Sequence, residues 1–258
     1  MTRPGAFRTE DLTVRYGGVL ALDSVSITVE PGEFAGLIGP NGAGKTTFID
    51  SVTGYAKASG KVELGGIDVL PLAAHARVAA GVSRTFQSLE LFEDLTVAEN
   101  VLVSTENARW WSPIVEFVRP RTSTMLSSAV EEVLDLVGLT AHLDAYPPDL
   151  SLGERKLVSV ARALATEPAL LLLDEPAAGL DSDASLVLGR QLQSIAERGV
   201  SILLVDHDLS LILDVCERIN VLDFGRLIAS GTADEVRNDP AVVAAYLGED
   251  IDTAEAVR

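Results

Sequence analysis

The sequence predicts an α/β fold whose central sheet is mostly parallel, and three observations lead to this prediction. Residues 34–38 (FAGLI) and residues 169–173 (ALLLL) are continuous apolar runs, which are typical of strands buried on both faces of a parallel sheet. Between these runs, residues 95–165 carry apolar side chains at three- and four-residue spacing, as amphipathic helices do. We therefore expect a parallel α/β core that is interrupted by an inserted α-helical subdomain.

The region around the first apolar run predicts an N-terminal antiparallel β subdomain. Residues 7–39 alternate or run apolar between turn signals at residues 17–18 and 31–32, which predicts three strands. The elements predicted next are a helix from Lys45 to Thr53, a short hairpin strand at 60–66, a helix at 71–80 and a strand at 81–87.

The helical insertion begins with a capping signal. Thr96 and Glu99 have the spacing of a capping box, in which the two side chains satisfy backbone amides at a helix start. Two more helical segments are predicted at 127–139 and 151–166, followed by core strands at 168–176 and 199–207 and a hairpin-like pair at 219–231. The predicted domains are 1–94 (first part of the α/β core with the β subdomain), 95–165 (helical subdomain), 166–248 (second part of the core) and 249–258, a charged tail expected to be frayed.

A glycine-rich turn after the first buried strand predicts a phosphate-binding loop. The stretch GPNGAGKTT fills the pattern G-x-x-x-x-G-K-[ST], whose backbone amides curl around an anion at a helix start. Lys45 would reach the β- and γ-phosphates, and the Thr46 hydroxyl would take one position on Mg²⁺. The predicted binding residues for a nucleoside triphosphate are Gly39, Pro40, Asn41, Gly42, Ala43, Gly44, Lys45, Thr46 and Thr47. The P-loop places the fold among the P-loop NTPases.

A pair of carboxylates follows the second buried strand. Asp174 and Glu175 stand at its carboxyl end, which is where ligands bind in open parallel sheets. Asp174 would hold Mg²⁺, usually through water, and Glu175 would orient and deprotonate the water that attacks the γ-phosphate.

The formal net charge of −18 argues against nucleic acid as the main partner, because a phosphate backbone would be repelled.

Six motifs together carry a resemblance to the ATP-binding cassette (ABC) ATPases. In chain order they are GPNGAGKTT, the glutamine of RTFQ, LSLGERKLVSVARAL, LLLLDEP, AAGLD and VDHD, and the match extends from about residue 7 to 247. The resemblance implies that the nucleoside triphosphate is ATP. The roles that it implies are adenine stacking for Tyr16, contact with Mg²⁺ and the attacking water for Gln87, γ-phosphate bonding for His207, in-trans contacts with ATP for Ser151 and Gly153, and a link across a dimer for Asp181.

The signature segment departs from the family pattern. The usual Ser-Gly-Gly-Gln is here Ser151-Leu152-Gly153-Glu154, so the loop is stiffer and gains a negative charge. Ser151 and the Gly153 amide remain, and we expect function to survive. Ser151 and Glu154 also have capping-box spacing, which would aim the positive end of the helix at an anion.

Segments outside the six motifs resemble the ATPases of branched-chain amino-acid importers, notably the insert through NARWWSPIVEFVRPR and the ending NDPAVVAAYLGED. The resemblance implies integral membrane permease subunits, a second cassette that is identical or homologous, an indirect extracytoplasmic substrate-binding protein, and a peripheral position on the cytoplasmic face of the membrane. Two alternatives stay open: a lipopolysaccharide-export ATPase, and a soluble ABC ATPase that acts on the ribosome, DNA or iron–sulfur assembly. The insert residues Arg109, Trp110, Trp111, Phe117, Arg119 and Arg121 are expected either to flank the permease or lipid headgroups, or to form a satellite core.

Overall fold

In a computed structural model, which describes residues 5–85, 90–105, 128–206 and 208–246, the chain divides into two units. The first comprises residues 1–87 and 168–258, and the second comprises residues 88–167. The strands are β1 (Phe7–Tyr16), β2 (Val19–Val25), β3 (Thr28–Val29), β4 (Phe34–Ile38), β5 (Ser59–Leu64), β6 (Ile67–Asp68), β7 (Val82–Arg84), β8 (Leu170–Asp174), β9 (Ser201–Val205), β10 (Arg218–Asp223) and β11 (Arg226–Gly231). The α-helices are α1 (Lys45–Thr53), α2 (Ala74–Ala79), α3 (Val97–Leu102), α4 (Ser128–Leu136), α5 (Leu152–Leu164), α6 (Ser182–Glu197), α7 (Leu209–Val215) and α8 (Ala233–Arg237).

The larger sheet of the first unit is mostly parallel, as predicted. Its strand order is β11-β10-β4-β9-β8-β7, and every neighbouring pair is parallel except β10 with β11. All residues of β4, β8 and β9 are buried, which explains why these strands read as unbroken apolar runs. Because β4, β9 and β8 are parallel neighbours, their carboxyl ends meet at one edge of the sheet.

The second sheet of this unit confirms the antiparallel N-terminal subdomain but corrects its strand count. Its order is β2-β1-β5-β6, and β3 also pairs with β1. The prediction of three strands in residues 7–39 was wrong, because β2 and β3 are separate and the segment holds four. The buried hydroxyl of Thr9 donates to the Val25 carbonyl (3.1 Å) and accepts from the Ile27 amide (2.9 Å). A side chain thus replaces ladder hydrogen bonds where β2 ends.

Helix α1 is anchored at both its middle and its end. Phe48 is fully buried and packs edge-to-face on Phe7, with 6.5 Å between ring centroids. At the end of α1, the carbonyls of Ser51 (2.6 Å) and Val52 (2.8 Å) accept from the buried guanidinium of Arg77, a residue of α2. Burial lowers the pKa of Arg77, yet its ordinary value is high enough for the charge to remain. These contacts fix the helix that follows the glycine-rich turn.

The second unit is helical, as predicted, with short 3₁₀ turns at Thr140–His142 and Pro147–Asp149. The capping box of Thr96 and Glu99 at the start of α3 is confirmed. Helix α3 ends at Leu102, because the amides of Ser104 and Thr105 make tighter turn bonds to Val101 and Leu102. The buried Asn100 side chain accepts from the Phe92 amide (2.9 Å) and donates to the Leu95 carbonyl (3.1 Å), which orders the segment before the helix.

Several expectations fall outside the described residues: those on Gln87, on His207, on the tail at 249–258 and on the aromatic and arginine residues of the insert between 109 and 121. Helices α6, α7 and α8 were not assigned from the sequence. The four-part division at residues 94, 165 and 248 stays a prediction.

Candidate nucleotide-binding site

The turn between β4 and α1 requires glycine at two positions. Gly39 has φ 152°, and a Cβ there would lie 2.1 Å from the Leu222 carbonyl oxygen. Gly44 has φ 106°, and a Cβ would lie 2.9 Å from the Ala21 carbonyl oxygen. Both conformations are costly for residues with a side chain. The glycines therefore let the chain fold back tightly before the helix starts, which is the context that the sequence motif predicted.

The start of α1 is open to an anion. Its N-cap is Gly44, in the left-handed conformation, and this residue has no side chain that could cap the amides of the first turn. Such amides, together with the positive end of the helix dipole, suit a phosphate group. Asn41, Gly42 and Thr46 are exposed beside them. The residues present therefore fit the phosphates of a nucleotide.

The Lys45 ammonium lies over the same turn. Its Nζ atom donates to the carbonyl oxygens of Gly39 (2.6 Å) and Pro40 (3.0 Å). The side chain is half-buried, so its positive charge is held at the turn rather than extended into solvent. This arrangement places one cation within the ring of backbone that would surround the phosphates.

Asp174 ends β8 and is buried, as predicted for a carboxylate at this edge. Its Oδ2 atom accepts from Arg84 Nη2 at 2.7 Å, and Arg84 Nη1 donates to Asp50 Oδ1 at 2.6 Å. Neither Arg84 nor Asp50 was identified from the sequence. Arg84 stands at the end of β7, and only the sheet order shows that β7 is the neighbour of β8.

The metal-binding potential of this edge is modest. Among the described residues, no group of three or more His, Cys, Asp and Glu is arranged to hold a metal ion. A single carboxylate and a hydroxyl, from Asp174 and Thr46, still suit Mg²⁺, which keeps several waters and takes further oxygens from substrate phosphates. The donor set therefore fits Mg²⁺ carried with a nucleotide.

Glu175 has a backbone conformation that is rare for its residue type. Its φ is 48°, in the left-handed region, and its amide donates to the Val205 carbonyl at 2.7 Å. Strain of this kind concentrates at functional sites. The side chain is half-buried at the same edge as Asp174. Glu175 is thus held at the junction of the loops that follow β8 and β9.

The buried Asp206 side chain strengthens that junction. Its Oδ2 atom accepts from the Ala177 amide (3.2 Å) and its Oδ1 atom accepts from the Asp208 amide (3.0 Å). Asp206 therefore orders the backbone on both sides of position 207 and ties it to the loop that follows Glu175. The sequence shows Asp206 only as part of the VDHD motif, and its bond to Ala177 spans too many residues to be inferred from the sequence.

Two other predicted site residues of the first unit lie at its surface. Tyr16 ends β1 and is 53% exposed, so it does not fill the core. Asp181 is exposed, and its Oδ1 atom accepts from the Ala184 amide (2.8 Å) as the N-cap of α6. The link of Asp181 across a dimer stays a prediction.

In the second unit, Ser151 and Glu154 form the predicted capping box at the start of α5. Ser151 Oγ accepts from the Glu154 amide (3.3 Å) and donates to Glu154 Oε2 (2.7 Å). Glu154 Oε1 lies 3.1 Å from His142 Nε2. The hydrogen bonds from Ser151, and to a lesser degree the charge of His142, lower the pKa of Glu154. Glu154 is therefore ionised at neutral pH, and its carboxylate occupies the helix start beside Ser151 and Gly153.

Comparison with known proteins places this site in a family. The model of the ABC transporter family matches residues 22–178, more than half of the chain, and a model named branched-chain amino acid ATP-binding cassette transporter matches residues 226–252. The chain belongs to the ABC transporter family and is an ATP-binding, ATP-hydrolysing subunit. Subunits of this kind are membrane-associated and work as dimers with transmembrane permease partners.

Relatives and solved structures agree with that assignment. The high-affinity branched-chain amino acid transport ATP-binding protein BraF of Pseudomonas aeruginosa is 36% identical, over 96% of this chain and 100% of the relative. The lipopolysaccharide export system ATP-binding protein LptB of Haemophilus influenzae is 35% identical, over 93% of this chain and 96% of the relative.

Among solved structures, the ADP conformation of an ATP-binding cassette of an ABC transporter matches with a TM-score of 0.81 and 31% identity, over 95% of this chain and 99% of that one. A dimeric bacterial ABC transporter cassette matches with a TM-score of 0.69 and 26% identity, over 88% of this chain and 98% of that one. In the described part of the present chain, no helix is both long and apolar enough to cross a bilayer.

Proposed function

We propose that this chain drives an importer of branched-chain or related amino acids from the cytoplasmic face of the membrane, using Mg²⁺ and ATP. One observation supports the site above all others: three neighbouring parallel strands bring their carboxyl ends together. The glycine-rich turn follows β4, Asp174 and Glu175 close β8, and Asp206 follows β9. A phosphate-binding loop and the carboxylates for hydrolysis therefore share one edge.

Binding of ATP is proposed to use the first turn of α1. Backbone amides of the glycine-rich turn after Pro40 and of the first turn of α1 donate to phosphate oxygens, and Lys45 exchanges its carbonyl acceptors, Gly39 and Pro40, for the β- and γ-phosphates. The exposed ring of Tyr16 would stack on adenine. Mg²⁺, when bound by Thr46 and Asp174, supplies positive charge that offsets the phosphates.

Hydrolysis is proposed to depend on Glu175 as the general base. Its carboxylate orients a water molecule and accepts the proton as the water oxygen attacks the γ-phosphorus and the bond to the β-γ bridging oxygen breaks. The hydrogen bond from Glu175 to Val205 fixes the backbone of this residue, so its side chain starts from a defined position. Gln87 and His207 keep their predicted roles toward the water and the γ-phosphate.

A second cassette is proposed to complete each site. Ser151 and Gly153 begin α5, whose positive end suits the γ-phosphate of ATP held by the other copy. The Glu154 carboxylate already accepts the Ser151 hydroxyl, so that bond must be exchanged or shared when Ser151 contacts phosphate. Asp181 would join the two sites across the dimer. The second cassette is an identical or homologous chain.

The proposed substrate class rests on the match at residues 226–252 and on the similarity to BraF. The similarity to LptB keeps lipopolysaccharide export as the second candidate, because its identity and coverage are nearly equal. An importer would also take its substrate from an extracytoplasmic binding protein, which this chain would meet only through the permeases.

Uptake in a strain that lacks this chain tests the proposed substrate. Re-expression of the parent chain is expected to restore uptake of labelled leucine, isoleucine and valine, whereas Glu175→Gln is not, because transport needs hydrolysis. Labelled glucose serves as the control solute. If the deletion strain takes up these amino acids normally but lacks lipopolysaccharide on its outer surface, lipopolysaccharide export would be favoured instead.

A further inference from the structure

Arg84 connects the carboxylate at the end of β8 to the helix of the phosphate-binding loop. Its Nη2 atom lies 2.7 Å from Asp174 Oδ2 and its Nη1 atom lies 2.6 Å from Asp50 Oδ1. The side chains of Arg84 and Asp174 are only 10% and 9% exposed. A planar guanidinium can make both contacts at once, whereas the single ammonium of a lysine has a poorer geometry for two separate carboxylates.

The ion pair of Arg84 with Asp174 also has an electrostatic effect, in addition to joining two elements. A carboxylate as buried as Asp174 is costly without a compensating charge, and Arg84 supplies that charge from the neighbouring strand. Asp174 is also the carboxylate to which the proposed function assigns Mg²⁺. A cation beside Asp174 would therefore lie within several ångströms of an existing positive charge, and the two repel each other.

We propose that Arg84 is a positioning residue that acts as the built-in counter-ion of Asp174 and competes with the divalent cation. This inference rests on the proposed function in taking Asp174 as the metal carboxylate. Divalent cations alone bind weakly because Arg84 neutralises their carboxylate. Bound nucleotide adds several phosphate charges, which outweigh Arg84, so the metal enters together with ATP. The bond to Asp50 keeps the guanidinium in place throughout.

Binding of Mn²⁺ alone to the nucleotide-free protein tests this proposal without any step of hydrolysis. Electron paramagnetic resonance measures the concentration of free Mn²⁺. The decrease of this signal as protein is added gives the affinity of the protein for Mn²⁺. Arg84→Met is expected to bind Mn²⁺ roughly tenfold or more tightly than the parent, since one nearby positive charge is removed. Arg84→Lys, which keeps the charge, should stay closer to the parent.

Arg218→Met provides a matched control. It removes the same charge from a pair with Glu33 (3.0 Å) at the amino ends of β10 and β4, away from Asp174, and should leave Mn²⁺ affinity unchanged. If Arg84→Met does not fold, the double variant Arg84→Met/Asp50→Asn is used, because it has the net charge of the parent. Its reference is Asp50→Asn, and it should bind Mn²⁺ more tightly than this reference by the same factor. A folded variant without Arg84 that binds Mn²⁺ no more tightly than its reference overturns the proposal.

Arg84→Met/Asp174→Asn separates the inference from the proposed function. The gain in Mn²⁺ affinity should vanish in this variant; if it persists, Arg84 does not compete at Asp174 and the inference fails. If Mn²⁺ behaves as expected but the parent chain shows no ATP hydrolysis, the catalytic roles under the proposed function fail while the counter-ion role of Arg84 stands.

Discussion

Glu175→Gln is expected to retain ATP and to lower the rate of hydrolysis by roughly 10²- to 10⁴-fold, the usual contribution of a general base. Glutamine has nearly the same shape and can occupy the same backbone conformation, but it cannot accept the proton of the attacking water. The contacts of the phosphates with the glycine-rich turn and Lys45 are untouched, so affinity for ATP should change little. Steady-state hydrolysis and equilibrium binding of a fluorescent ATP analogue measure the two quantities.

Glu167→Gln is the matched control for that substitution. Glu167 also has a left-handed backbone, with φ 49° against 48° for Glu175, but it precedes β8 instead of following it. The Glu167→Gln variant should hydrolyse ATP at the parent rate. If Glu175→Gln also turned ATP over at the parent rate, Glu175 would not be the base.

Lys45→Ala is expected to weaken ATP binding itself, by about 1.5–3 kcal/mol or roughly 10- to 150-fold, the range for hydrogen bonds to a charged group. The substitution removes the only side-chain cation seen to contact the carbonyls of the glycine-rich turn in the described residues. Hydrolysis at subsaturating ATP should fall at least in proportion. Isothermal calorimetry with ATP in Mg²⁺ measures the binding.

Lys61→Ala controls for net charge. Lys61 lies in β5, where its ammonium pairs with Glu63 at 2.6 Å. Its removal should leave ATP affinity unchanged. Equal affinity of Lys45→Ala and the parent would show that Lys45 does not contact the phosphates.

Local features of the site could be predicted from the sequence because their partners are close in the chain. The capping boxes of Thr96 with Glu99 and of Ser151 with Glu154 need a spacing of only three residues. The glycine-rich turn needs only a buried strand before it and a helix after it. Side-chain spacing alone fixes such features, and the structure has them where they were expected.

Contacts between distant segments could not be predicted in the same way. Arg84 meets Asp174 only because β7 is the outer neighbour of β8, and Asp206 meets Ala177 only because β8 and β9 are adjacent. Nothing in the local sequence around Arg84 states which strand lies next to it. The interruption between β2 and β3 was missed for a similar reason, since it depends on the Thr9 hydroxyl of another strand.

ATP is proposed to join two cassettes, with Lys45 and Glu175 from one chain and Ser151 and Gly153 from the other. Light scattering of Glu175→Gln with ATP and Mg²⁺, alone and with the cognate permease subunits, measures whether this dimer forms. We expect a nucleotide-dependent increase equivalent to a second cassette beside the 27.3 kDa chain. A cassette that stays monomeric with ATP bound, and that also remains single in the presence of the permeases, would show that ATP does not join two copies.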